Sequence, residues 1–266
     1  MTTKIGFIGA GRMAGTMIAG LIRQMTYSPD EIVACAPSSS TRKKITEQTG
    51  IRMFKSASEI AGMTDTLVLA VGPKTVPDLF EKEELRLGGR HLLISIVAGV
   101  SIETLKSYVP DTRIIRVMPN HCCMVLEGAS GYTVDNRCTD KDRKTAENIF
   151  KSLGRAVEVK ETDMGAVTGV SGSSPAFMYM FLRALIDGAV LRGLPRGTAT
   201  ELAAQTMVGA GKMVLESGMS VDNLIDSVCS PGGATAEGVK VLEEKDMESI
   251  LVDAVNATVK KAENKK

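Results

Sequence analysis

The stretch that most restricts the fold is IGFIGAGRMAG, residues Ile5–Gly15. An apolar, strand-like run leads into Gly9-x-Gly11-x-x-Ala14, and TMIAGLI follows with helical spacing. A chain that turns from strand to helix through two glycines has few ways to do so. Gly9 allows the tight turn, and Gly11 lets a phosphate approach bare backbone. Ala14 is small enough for the helix to lie on its strand. The first helical amides have no partner within the helix and carry a partial positive charge, which suits a pyrophosphate. The pattern predicts dinucleotide binding at Gly9, Gly11 and Ala14.

The segments that follow repeat the alternation. KIGFIG, EIVACA, TLVLAV, HLLISIV and TRIIRV are strand-like and rich in Ile, Val and Leu, with helix-like stretches between them. Several are apolar throughout, as strands covered on both faces are. GYTV, a charged helix ending near Leu153, and RAVEVK as closing strand complete the series. The expectation is an α/β N-terminal Rossmann-like domain over residues 1–162, with a mostly parallel sheet and helices on both faces. An NAD site usually carries an acid after its second strand. Here Ala36 is followed by Pro37, Ser38, Ser39, Ser40, Thr41, Arg42, Lys43 and Lys44, with no carboxylate. Hydroxyls and cations suit a 2′-phosphate. Ala36, Ser38, Ser39, Arg42 and Lys43 are therefore read as contacts for NADP, with NAD kept as a possibility.

After about Asp163 the text contains no clear strand. Residues 163–266 read as an all-α domain, with Ser174-Pro175 as an N-cap and first helical position. The helix beyond carries Phe177, Phe181, Leu185 and Val190, together with Met178, Leu182, Ile186 and Ala189. It is apolar on more than one face and needs cover from several sides. That predicts a homodimer through the C-terminal helices, with larger homo-oligomers open.

Composition narrows the partners. A formal net charge of +1 over 266 residues gives no global field for nucleic acid. The longest apolar run, Leu92–Val100, is short of a membrane span, and the N-terminal run is too short for a signal peptide. Five cysteines fit neither a disulfide framework nor a zinc site, so no metal is expected and the reducing cytoplasm is.

SPGGATAEG, Ser230–Gly238, places two glycines at a helix start. Glycine costs about 1 kcal/mol relative to alanine within a helix, so something must approach the backbone closely there.

GFIGAGRMA, LAVGPK, SIVAGVSI, RVMPN, EGASGY, VTGVSGSSPAF, GLPR and SPGGATAEG occur in one order and at one spacing. In these blocks the chain resembles the pyrroline-5-carboxylate reductases nearly end to end. The resemblance implies reduction of the cyclic imine 1-pyrroline-5-carboxylate to L-proline with NADPH or NADH, and helical domains that interlock in dimers. It also implies cofactor contacts at Arg12 and Met13, at Ala70, Val71, Gly72 and Pro73, at Ala98 and Gly99, and at Asn120. This chain differs from the family's usual blocks at Gly72, in His121-Cys122, at Ala57 and around Arg183.

The substrate so implied is a five-membered imine bearing a carboxylate. The amides of Gly232, Gly233 and Ala234 are expected to receive that carboxylate, with Ser230 adding a hydrogen bond. Thr235 is expected at the ring nitrogen as the catalytic residue, orienting and polarising rather than acting as an acid, since a hydroxyl is a poor acid. Glu161, near the domain junction, is a further candidate for substrate contact. A β-hydroxyacid dehydrogenase would need a lysine on the long helix, and none lies between Lys160 and Lys212. Reduction of another cyclic imine and a non-catalytic NADP-binding protein stay open.

Overall fold

Short β-branched runs flanked by amphipathic helices can bury themselves only as a sheet covered on both faces. The computed structural model describes residues 3–263. Eight strands form one sheet: β1 (Ile5–Ile8), β2 (Ile32–Cys35), β3 (Arg52–Phe54), β4 (Thr66–Leu69), β5 (Leu92–Ser95), β6 (Arg113–Met118), β7 (Gly128–Val134) and β8 (Gly154–Glu158). Their order is β3-β2-β1-β4-β5-β6-β7-β8. All neighbours are parallel except β6 and β7, where Met118 lies opposite Gly131 in an antiparallel pair.

Six helices cover the sheet: α1 (Arg12–Arg23), α2 (Ser39–Thr49), α3 (Ala57–Ala61), α4 (Val76–Glu81), α5 (Ile102–Tyr108) and α6 (Asp140–Lys151). The alternation of side chains along each strand divides the core in two. Ile5 and Phe7 of β1 and Ile32 and Ala34 of β2 pack with Met17 and Ile18 of α1 and Phe150 of α6. Ile8, Val33 and Cys35 face the other way, against Ile60 of α3, Phe80 of α4 and Leu105 of α5. α6 starts with a capping box: Asp142 accepts hydrogen bonds from the Thr139 N–H and hydroxyl, each at 2.7 Å. Arg113 of β6 pairs with the same carboxylate. Burial pushes the Asp142 carboxyl up, but the bonds from Thr139 and Arg113 outweigh burial and hold it below its ordinary value.

Beyond Glu158 the described residues are without strands. α7 (Met164–Val167), a π-helical turn (Thr168–Ser173), α8 (Ser174–Leu191), α9 (Arg196–Glu216), α10 (Val221–Val228), α11 (Ala234–Glu244) and α12 (Met247–Glu263) follow. The packing separates two compact units, residues 3–173 with 258–263, and Ser174–Ala257. In the second unit Ala199 is the one buried residue among those described. Phe181, Leu185, Val214 and Leu251 line an apolar groove of about 400 Å³ within it. An apolar surface of this extent requires a partner.

Two expectations are corrected here. Ser174-Pro175 is not a helix start, because the chain arrives already helical through the π turn. Pro175 has no N–H to offer the carbonyl four residues back, that of Ser171. The Asn120 side chain donates to that carbonyl instead, Nδ2 to O at 3.1 Å. The second correction concerns apolar length. The continuous helical run Glu161–Leu191 holds an 18-residue window of mean hydropathy 1.3, none of it buried within the chain. By length and composition it could cross a membrane. Gly and Ser at 171–174 interrupt the apolar letters while the helix continues, so a search for unbroken runs passes over it.

Candidate active site

The expected dinucleotide contacts gather at the C-terminal ends of parallel strands, where open α/β sheets bind ligands. Gly9 follows β1, Ala36 follows β2, Ala70 to Pro73 follow β4, Ala98 and Gly99 follow β5, and Asn120 follows β6. Gly9 has φ +96, and a Cβ there would lie 2.8 Å from the Ala70 carbonyl oxygen, so only glycine fits. Gly11 is the N-cap of α1 with no side-chain cap, and a Cβ built on it would meet nothing within 4 Å. The first intrahelical bond of α1 runs from the Gly15 N–H to the Gly11 carbonyl. The amides of Arg12, Met13 and Ala14 therefore have no partner within the helix, and the first turn holds no acid, an arrangement that fits a pyrophosphate. Arg12, Met13 and His121 share a cavity of about 380 Å³. A larger groove of about 660 Å³ meets this loop only at Ala10–Arg12 and then runs down the flanks of α1 and α2 to Arg23 and Thr49. It points away from the strand ends, so the chemistry belongs elsewhere.

The segment expected to take the 2′-phosphate is partly committed. Arg42 folds back, and its Nη1 donates to the Ala36 and Pro37 carbonyls, each at 2.7 Å. That fixes the β2–α2 turn and leaves the rest of the guanidinium to face outward. Ser38 caps α2, its Oγ accepting the Thr41 N–H at 3.4 Å. Lys43 stands 3.9 Å from Glu47 on an exposed face. Asn120 is buried, with both ends of its amide in use: Oδ1 accepts the Ala129 N–H at 3.1 Å and Nδ2 serves Ser171. One Nδ2–H is spent on Ser171, which leaves the second Nδ2–H, the backbone and the position at the end of β6 as what Asn120 can offer a cofactor.

One oxygen of Glu161 is committed within the chain. Its Oε1 accepts the Ile102 N–H at 2.7 Å and an Arg116 Nη1–H at 3.2 Å. Glu161, Ala98 and Gly99 line one cavity of about 250 Å³ with Ser101, Arg116 and Thr168. The sequence drew attention to Glu161 but not to Arg116, whose place in β6 resembles that of any strand residue.

In the second unit Ser230 and Thr235 are exposed. Gly232 has φ +71, and a Cβ on Gly233 would lie 2.9 Å from the Ser230 carbonyl oxygen. The two glycines are thus required by the turn itself. The Gly233 N–H donates to that same carbonyl at 2.9 Å, so it is not available for an anion as expected. The first intrahelical bond of α11 joins the Glu237 N–H to the Gly233 carbonyl. The orphan donors of the helix itself are therefore the amides of Ala234, which was expected, and of Thr235 and Ala236. Among the described residues no cluster of metal ligands occurs.

This arrangement has counterparts in known proteins. Residues 161–265 match the family described as pyrroline-5-carboxylate reductase dimerisation, and residues 4–99 match NADP oxidoreductase coenzyme F420-dependent. A pyrroline-5-carboxylate reductase of Methanosarcina acetivorans is 41% identical over 95% of this chain and 94% of the relative. That of Escherichia coli (strain K12) is 39% identical over 99% of this chain and 98% of its own length. The chain belongs to the pyrroline-5-carboxylate reductase family. The crystal structure of the Plasmodium falciparum pyrroline carboxylate reductase with NADP bound covers 98% of this chain and 97% of its own. It matches with a TM-score of 0.87 and 32% identity. The Coxiella burnetii family member gives 0.89 and 32%, over 98% of each chain. The expected α/β sheet with a helical C-terminal domain is borne out. The family's dimerisation region covers the apolar run Glu161–Leu191, which accounts for its unburied surface by association of chains.

Proposed function

We propose that this protein reduces the ring imine of 1-pyrroline-5-carboxylate to L-proline, with NADPH as hydride donor. The observation that carries the reading is the near end-to-end match to named reductases of this imine, together with the intact Ser230–Thr235 turn. Bound NADPH supplies the hydride, and the protein supplies binding and geometry. The amides of Arg12, Met13 and Ala14 hold the pyrophosphate. Ser38, Ser39 and the free edge of Arg42 recognise the 2′-phosphate, with Lys43 adding charge. Backbone at Ala70–Pro73 and Ala98–Gly99 lines the cofactor's path along the strand ends.

The orphan amides of Ala234, Thr235 and Ala236 take the substrate carboxylate, with the Ser230 hydroxyl beside them. The Thr235 hydroxyl hydrogen-bonds the ring nitrogen. Hydride adds to the imine carbon while the C=N π pair moves onto nitrogen. A protonated imine accepts hydride most readily, because its positive charge is quenched as the hydride arrives. That proton comes with the substrate or from water, since a threonine hydroxyl is too weak an acid. The rate then derives from orientation in a site that excludes water.

Residues 1–162 form the nucleotide-binding domain and 163–266 the dimerisation domain in this reading. Two chains pair through α8 to α12, and larger homo-oligomers are compatible with the extent of the apolar surface. The cysteines among the described residues are all free, which supports a reducing, cytoplasmic setting. The test is consumption of reduced nicotinamide by the purified protein on adding pyrroline-5-carboxylate. Saturable turnover is expected, and its absence with a folded, NADPH-binding protein refutes the activity. Thr235→Ala should lower kcat about tenfold, equivalent to one hydrogen bond of about 1.4 kcal/mol, with NADPH affinity kept. An unchanged kcat removes Thr235 from the site.

A further inference from the structure

β5 ends at Ser95, and the chain turns through Ala98 and Gly99 before Ser101 caps α5. The turn stands at the C-terminal edge of the sheet, beside the cavity of about 250 Å³ described above. Its far end is fixed by the N-terminus of α5. The Ser101 Oγ accepts the Thr104 N–H at 3.0 Å. The Ile102 N–H, one of the donors a helix cannot satisfy itself, goes to Glu161 Oε1 at 2.7 Å, across 59 residues of sequence. A carboxylate accepting an amide N–H is a charge-assisted bond, about twice as strong as a neutral one.

Arg116 holds the carboxylate in turn. It sits in β6 opposite Ser95 of β5, the strand that leads into the turn. Its side chain is 12% exposed, and its Nη1 donates to the same Oε1 at 3.2 Å. Its Nε is buried and has no partner among the described residues, so Glu161 carries the charge pairing of this guanidinium. One carboxylate oxygen therefore joins β6, the start of α5 and the segment that leads into α7.

We propose that Glu161 is a positioning residue for hydride transfer: through the Ile102 amide, and oriented by Arg116, it fixes the Ala98–Gly99 turn against which the nicotinamide lies. The 2′-phosphate candidates follow β2 and the glycine loop follows β1, so a dinucleotide laid across the strand ends carries its nicotinamide toward β4 and β5; the proposal rests on that reading of the cofactor site. Glu161 touches neither substrate nor the reacting atoms in this scheme. It sets the height of a backbone ledge, and misplacement of about 1 Å at such a ledge can cost up to 10²-fold in rate.

Glu161→Ala, Glu161→Gln and the wild type separate the possibilities. Hydrogen exchange at the Ile102 amide, measured without cofactor, should accelerate about tenfold or more in Glu161→Ala, as a lost bond of about 1.4 kcal/mol requires. The single-turnover hydride-transfer rate should fall about tenfold or more, while 2′,5′-ADP, which lacks the nicotinamide, binds within about twofold of wild type. Glu161→Gln keeps an acceptor for the Ile102 N–H and should recover most of the rate, although it loses the ion pair and unfolds at a lower temperature. The proposal is overturned if Glu161→Ala transfers hydride at the wild-type rate. It is equally overturned if 2′,5′-ADP binding weakens as much as NADPH binding, which marks general loosening. A wild type that fails to turn over the imine refutes the functional reading instead, and wild-type Ile102 exchange in Glu161→Ala refutes the tie on its own.

Discussion

The amide of Asn120 offers a quantitative test of how the helical segment is joined to the sheet. Asn120→Ala removes a donor to the Ser171 carbonyl and an acceptor for the Ala129 N–H, each bond 3.1 Å long. Both lost partners are backbone groups in partly buried surroundings. Leaving each without its bond costs about 1–1.5 kcal/mol, so the variant should unfold about 2–3 kcal/mol more easily. Pro175 sharpens the test, because its missing N–H is what the carbonyl of Ser171 would otherwise meet in a regular helix. In a Pro175→Ala background a backbone donor becomes available, and loss of Asn120 should cost about 1 kcal/mol less than in the native sequence. Urea unfolding of the four proteins, followed by circular dichroism at one fixed protein concentration, gives the cycle. Additivity within about 0.3 kcal/mol would refute the idea that Asn120 substitutes for the donor that proline lacks.

Three further outcomes follow from the structure. The Asp142 carboxyl is held below its ordinary value of 3.8 in the folded protein, so its contribution is present above that value and disappears as pH falls through the folded one. Asp142→Asn should cost about 2 kcal/mol at pH 7, and the gap from wild type should narrow toward pH 3; a constant gap in urea titrations contradicts this. Phe181→Asp with Leu185→Asp should convert the oligomer to monomers with reduced helix content, read by light scattering and circular dichroism; an unchanged mass refutes the interface. Burial pushes the Cys35 and Cys138 thiols up to about 11 each. At pH 7.5 iodoacetamide should leave both unmodified in the native protein and alkylate them in urea, and rapid native labelling counts against the described packing.

Local patterns carry the parts of this structure that local physics decides. The glycine loop, the strand runs and the helical second half are periodic or steric features, legible within ten residues. So was the absence of a carboxylate after β2. What the text concealed is the set of long-range hydrogen bonds. Asn120 meets Ser171 and Glu161 meets Ile102 across 51 and 59 residues, and no spacing rule links them. Arg42 shows the same limit at short range: its charge suggested a phosphate, but the carbonyls of Ala36 and Pro37 hold one end of it. At Gly232-Gly233 the sequence marked a need for bare backbone, and the structure supplies a reason the sequence did not show. The turn needs bare backbone before any ligand does, and it consumes one of the donors expected to be free. The π turn was hidden because Gly-Ser-Ser before proline looks like a helix boundary when a wider helical turn can absorb it.

With Ala199 its one buried residue among those described, the second unit lacks an interior that one chain can provide. On the proposed pairing of chains, folding and assembly there become one event, and dilution acts as a denaturant. A lesion on that face is also shared: a damaged subunit withholds cover from a sound one, and a mixed population loses more function than the damaged fraction alone would predict.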